Sequence, residues 1–297
     1  MEVKTGSTIR LIRVKNSVEK DIENRISKSI CFKMFWIALM IGICLAGAQA
    51  VQTAKYVQWV NEGTDFHPSG FDSTSLLVFW LGVDNRTAIG SIFFLTLPIL
   101  ASMPFGASYF TERKTGYSVQ MITRSGQVMY LWAKWIATFV SGILVIMLPL
   151  LLNLMANALV CPLGKVRVLS LIVYVGQESF ASKLFYSHPL VYILVSLILS
   201  SVWGGICSTI SLTVGMFLKN KILIILSPLI LLNFGGLILL QIKEWTGFTN
   251  WEVRPTELMR TICMSSNPTW YVISYMGVLL AMVLMVYRKR GMRRESI

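Results

Sequence analysis

Long apolar runs separated by short polar connections set the pattern of this chain. Six of them, at 32–51, 88–109, 130–156, 189–217, 222–240 and 269–287, are continuous instead of alternating with period two. A bilayer core about 30 Å thick needs roughly 20 apolar residues of helix, and each run is near or above that length. Only helices and closed barrels satisfy their backbone in lipid, and unbroken runs exclude barrel strands. The pattern predicts an all-α membrane protein, with six transmembrane helices forming one domain over 32–287.

The flanking segments differ in kind. Residues 1–31 are polar and charged, and nothing there resembles a cleavable signal. Leu11, Val14, Val18, Ile22, Ile26 and Ile30 recur at three- and four-residue steps with Lys and Arg between them. Lys15 and Glu19 intrude on that arc. The expectation is an N-terminal amphipathic interfacial helix; a helix packed on a partner protein is the alternative. Residues 288–297 form a basic tail.

The connections carry weaker signals. The apolar stretch 76–83 is too short to span, so it either dips into the outer leaflet or caps the bundle. Residues 241–268, with Trp245, Trp251 and two short apolar stretches, are a candidate re-entrant hairpin. Pro98 and Pro104 each remove a backbone donor and favour a kink in the second span. Trp36, Tyr109, Tyr130, Trp132, Trp135, Trp270 and Tyr271 fall at the predicted boundaries, where aromatic rings anchor spans.

Composition agrees with the pattern: 55% of residues are hydrophobic and 14% charged, against about 25% charged in soluble domains. The net charge of +13 would suit nucleic acid, but its distribution excludes that partner. With the N-terminus inside, the inner segments hold 19 Lys/Arg against 6 acids, and the three outer loops hold 8 against 8. The whole excess lies on one side, as the positive-inside rule requires. Both termini are therefore expected in the cytoplasm, with anionic lipid as the partner of the basic face.

Catalytic constellations are absent from the sequence. His67 and His188 are far apart and without partners at metal spacing. There is no GxxxxGK[ST] phosphate loop and no Asp or Glu deep in a span, which disfavours an ion-coupled carrier. Polar residues within spans are few: Asn153 and Asn157, then Ser200, Ser201, Thr209, Ser211 and Thr213, then Asn233. They serve helix–helix hydrogen bonding or, alternatively, Asn153, Asn157, Ser211, Thr213 and Asn233 line a weakly polar translocation path. Cys161 and Cys263 map to the outer side, are expected to be accessible there, and leave a disulfide open.

The connection between the second and third spans is more specific. Glu112-Arg113-Lys114 leaves the bilayer, Gly116 allows a turn, and a short amphipathic stretch ends at Thr123-Arg124-Ser125, before Tyr130 and Lys134. This order of residues resembles the permease subunits of type 2 ATP-binding-cassette (ABC) exporters, as do the six spans, inner termini and sizeable outer loop before the last span. The first outer loop is longer than many members have. The resemblance implies that 115–125 is a coupling helix docking on a separate ATPase, through Thr115, Gly116, Met121, Ile122, Thr123 and Arg124. Met121 and Ile122 would be its apolar anchors and Arg124 a rim or pairing charge. Glu112, beside Arg113, would fix the loop against a basic neighbour. It further implies a second permease, identical or homologous, an amphipathic or hydrophobic cargo, and a plasma membrane of bacterial type. No cofactor is expected in this chain; ATP and Mg would sit on the partner ATPase. The competing expectation is a non-transporting membrane sensor or immunity protein, which needs no ATPase.

Overall fold

A computed structural model describes residues 33–62, 76–83, 87–114, 117–161, 179–247, 251–260 and 267–294. The segment 1–31, Thr115, Gly116 and Cys263 lie outside the described residues. Among those described the chain is helical and without strands. The long helices are α1 (Lys33–Glu62), α6 (Gln127–Ala158), α8 (Pro189–Val214), α9 (Lys221–Thr246) and α11 (Thr269–Arg294). All five are long and apolar enough to cross a membrane. Between them run α2 (Leu76–Phe79), α3 (Ala88–Ser102), α4 (Ser108–Lys114), α5 (Tyr117–Ser125), α7 (Ser182–Ser187) and α10 (Pro255–Leu258). This is an all-α membrane protein.

The second span departs from expectation. Its apolar run predicts one helix over 88–109, but α3 stops at Ser102 and the chain turns through 103–107 before α4 begins. Pro104 cannot donate to Leu100, so the helical ladder fails there. Gly106 then closes the turn against the end of α8, where a Cβ would collide with Ser102 and Ser211. Four other spans run beyond their predicted limits: α1 continues to Glu62, α6 covers Gln127–Ala158, α9 continues to Thr246, and the basic tail extends α11 to Arg294, whereas α8 ends at Val214, short of 217.

Helices α6 and α8 form the centre. A Cβ on Gly142 would lie 2.7 Å from the Gly204 carbonyl oxygen, and one on Gly204 would lie 2.8 Å from that of Gly142. Ser208 Oγ donates to the Thr138 carbonyl at 3.0 Å across the same seam. Lipid tails are as apolar as leucine, so close packing of small residues and interhelical hydrogen bonds hold such pairs together. Helices α1, α3 and α9 pack around this pair, and α11 is the least buried of the five long helices. In α9, Pro228 leaves the Ile224 carbonyl without its helical donor. The hydroxyls of Ser211 and Ser227 each reach that oxygen at 2.7 Å.

Two segments fold back into the bundle at the end opposite the basic residues. In the first, α2 and the turn to Val83 insert between α1 and α6, with Trp80 and Leu81 wholly buried. Of the two readings open for 76–83, the structure has the cap. In the second, α10 descends between α3, α8 and α9. Pro255 lies against Gly236, Ser200 Oγ reaches the Met259 carbonyl at 3.3 Å, and Arg260 sits 5.3 Å above the Phe94 ring. Gly236 is ten residues from the end of α9, about 15 Å along the helix. Residues 251–260 thus fold back against α9, whose own last turns take up 241–246 of the candidate hairpin. Cys161, expected to be accessible, is instead buried at 3% exposure. Desolvation raises its thiol pKa.

Candidate functional site

At the basic end, α4 and α5 fold against the first turns of α6. Tyr109 and Glu112 stand three residues apart on α4, while Tyr130 and Lys134 stand four apart on α6, so each pair shares one helical face. The two faces meet. Lys134 Nζ lies 2.7 Å from Glu112 Oε2, and Tyr130 donates its hydroxyl to the same oxygen at 2.7 Å. The ammonium is 3.4 Å from the Tyr130 hydroxyl and lies 5.5 and 5.4 Å from the centroids of the Tyr109 and Tyr130 rings.

Lys134 is wholly buried, whereas Glu112 keeps 19% of its side-chain exposure. Such a pair is costly to desolvate and holds only with good geometry and further hydrogen bonds. Tyr130 supplies the second bond, and the two rings add cation–π attraction. The node ties the end of the broken second span to the third. It sits in an apolar cluster of Leu131, Trp135, Leu212, Met216 and Tyr287.

Helix α5 rests on that cluster. Met121 and Ile122 are half-buried against it, while Val119, at 64% exposure, faces outward with Thr123 and Arg124. The two expected partner anchors therefore turn toward their own bundle. Gly126 ends α5 and starts α6 with φ +79°, a conformation that disfavours any side chain. Arg113 is exposed beside the node. Thr115 and Gly116 fall outside the described residues.

The other expected site residues lie in separate places. Asn153 and Asn157 belong to an amide cluster at the far end. Asn153 Nδ2 donates to Gln49 Oε1 and to the Ala46 carbonyl, both at 2.8 Å. Asn153 Oδ1 accepts from Leu81 N at 2.9 Å, and Asn157 Nδ2 reaches the Phe79 carbonyl at 3.2 Å. Gln49 Nε2 donates to that same carbonyl at 2.7 Å. These amides hold the inserted cap. Ser211 serves the Pro228 break, Thr213 donates to Thr209 within α8, and Asn233 donates to Leu229 within α9. These hydrogen bonds place the five in separate local networks.

Sequence reasoning missed Gln49, the burial of Lys134 and the role of Gly126. Gln49 was detectable as a lone amide near the end of an apolar run. Lys134 was detectable as a cation flanked by Ala133 and Trp135 at helical spacing from Tyr130. The chain matches no family model, no curated protein and no solved structure.

Proposed function

We propose that this chain is the permease subunit of a type 2 ABC exporter. It sits in the cell membrane with both termini cytoplasmic, as the one-sided charge requires, and works with a separate ATPase that carries ATP and Mg. A second permease, identical or homologous, completes the path for an amphipathic or hydrophobic cargo. The observation that supports this reading best is the clamped position of α5. A short amphipathic helix lies at the basic end, and the Glu112–Tyr130–Lys134 node fixes its preceding helix to a span. A force applied to α5 by a closing ATPase would pass into α6 through an ion pair instead of being lost in a loose loop. Such coupling needs a two-state element that the partner biases.

The partner contact belongs to the outward face, Val119, Thr123 and Arg124, because Met121 and Ile122 pack inward. Val119→Asp/Arg124→Glu should leave the protein inserted and folded, yet abolish co-purification of a phosphate-loop ATPase. Changing Met121 and Ile122 to Asp is a poorer test, since it also damages the bundle. Should no ATPase co-purify with the unaltered protein, the exporter reading fails and the sensor or immunity reading takes its place.

A further inference from the structure

The least buried helix, α11, leaves an open seam on its inner face. At the basic end Tyr287 donates its hydroxyl to the Leu131 carbonyl at 3.0 Å, and Gln127 donates to the Gly291 carbonyl at 2.9 Å. Beside these ties is a crevice walled by Leu131, Trp132 and Trp135 of α6 and by Leu284, Tyr287 and Arg288 of α11. Arg288 is exposed at its mouth and makes no ion pair among the described residues. Trp135 is 9% exposed, and its indole N–H has no acceptor among the described residues. A buried donor without an acceptor costs about 1–3 kcal/mol, so an acceptor from outside would be favoured here.

The same face continues along the helix. Tyr287, Leu284, Leu280, Gly277 and Ile273 follow at three- and four-residue steps, which places them on one stripe. Toward the far end that stripe lines a wholly apolar recess of about 390 Å³ against Val195, Ile198 and Val202 of α8. A Cβ built on Gly277 meets nothing within 4 Å, so the seam is open there. From Arg288 to Gly277 is eleven residues, about 16 Å of helix. One leaflet's hydrocarbon is about 15 Å deep.

We propose that this seam is a binding site for one anionic phospholipid. Its phosphate accepts from the Arg288 guanidinium and the Trp135 indole N–H, and one acyl chain runs along the α11 stripe to the open space at Gly277. The apolar walls and the matching length favour a lipid over a free phosphate. The exposed Lys289, next to Arg288 in the chain, favours a net negative headgroup over a zwitterionic one. The site does not depend on any transport activity.

Delipidated full-length protein, titrated with phosphatidylglycerol or phosphatidylcholine of equal chain length and examined by native mass spectrometry, tests this. The unaltered protein should retain one phosphatidylglycerol in preference to phosphatidylcholine. Arg288→Gln should cut that preference by about fivefold, the weight of one basic residue at a charged lipid surface. Trp135→Phe should weaken retention of both lipids while keeping the ring. Gly277→Phe fills open space without a clash, so the protein should fold normally and lose affinity for both lipids. Equal retention of the two lipids by the unaltered protein would overturn the proposal. So would unchanged binding in Arg288→Gln and Gly277→Phe. Displacement of the lipid by millimolar inorganic phosphate would make it a free-anion site and overturn it too.

Discussion

The two ends of the bundle solve one problem, the buried polar group, with different chemistry. At the basic end the answer is an ion pair, Glu112–Lys134, backed by a tyrosine hydroxyl. At the far end it is a set of neutral amides, Gln49, Asn153 and Asn157, which donate to and accept from an inserted backbone segment. Charge is affordable only where water is near, and Glu112 retains some exposure. The far cluster is wholly buried, with Gln49 at 0% and both asparagines at 1% exposure. Deep in a membrane protein an ionised group would be expensive, whereas an amide can meet the free N–H and C=O groups of a non-helical insertion. The charged node fixes α4 against α6, and the neutral node holds the inserted segment at the opposite end.

The largest effect should come from splitting the ion pair, and the two halves should differ. Glu112→Gln strands a wholly buried ammonium, at a cost of about 3–5 kcal/mol. Lys134→Met strands a carboxylate that already reaches water, so it should cost clearly less. Combining the two should recover part of the Glu112→Gln loss, because the stranded charge is then gone. Denaturant unfolding of the detergent-solubilised variants measures the order. Equal losses from the two single changes would break the contrast between a buried cation and a half-solvated acid.

At the neutral end the expected effect is smaller but local. Asn153→Leu leaves Leu81 N without its acceptor and Gln49 without one donor, for a loss of about 1–2 kcal/mol. The more informative measurement is access. In a background lacking Cys31, Cys44 and Cys263, a cysteine at Leu81 should resist an impermeant maleimide and become reactive once Asn153→Leu is added. Cys161 contributes little background, being buried with its thiol pKa raised by desolvation. If the Leu81 cysteine reacts equally with and without Asn153→Leu, the amides are not what holds the cap.

Both contrasts were only half visible in the amino-acid sequence. The long helices were legible because unbroken apolar runs leave no other way to satisfy a backbone in lipid. The break in the second span was hidden, since apolar residues continue through Met103 and Phe105 and only Pro104 with Gly106 marks the turn. The asparagines were legible as polar residues in a span, but their partner Gln49 lies 104 residues from Asn153, a pairing that only helix packing creates. For Glu112, adjacency in the chain pointed to Arg113 and Lys114, and the fold supplies Lys134 from the next span. On α5, the identity of the apolar residues was readable and their direction was not. That direction depends on the cluster beneath, which is assembled from α4, α6, α8 and α11.

The smallest effect is expected at a second ion pair, which isolates burial as the variable. Arg254 donates to Glu252 through Nε at 2.9 Å and Nη2 at 3.1 Å, with its backbone N–H adding a third bond at 3.0 Å. The hydrogen bonds from Arg254 hold the Glu252 carboxyl below the usual glutamate range, against the opposing effect of burial. A carboxylate with a depressed pKa contributes stability that is full above the ordinary value of 4.5 and is lost as pH falls below it, through the depressed value. Because Arg254 is 41% exposed, solvent screens the pair, and its worth is on the order of 0–1 kcal/mol. Glu252→Gln should therefore lower stability only slightly at pH 7 and remove the acid-sensitive component contributed by this group. Comparing denaturant midpoints of the unaltered protein and Glu252→Gln at pH 7 and pH 3.5 measures both. A loss at pH 7 as large as that of Glu112→Gln would mean that exposure is not what separates the two pairs.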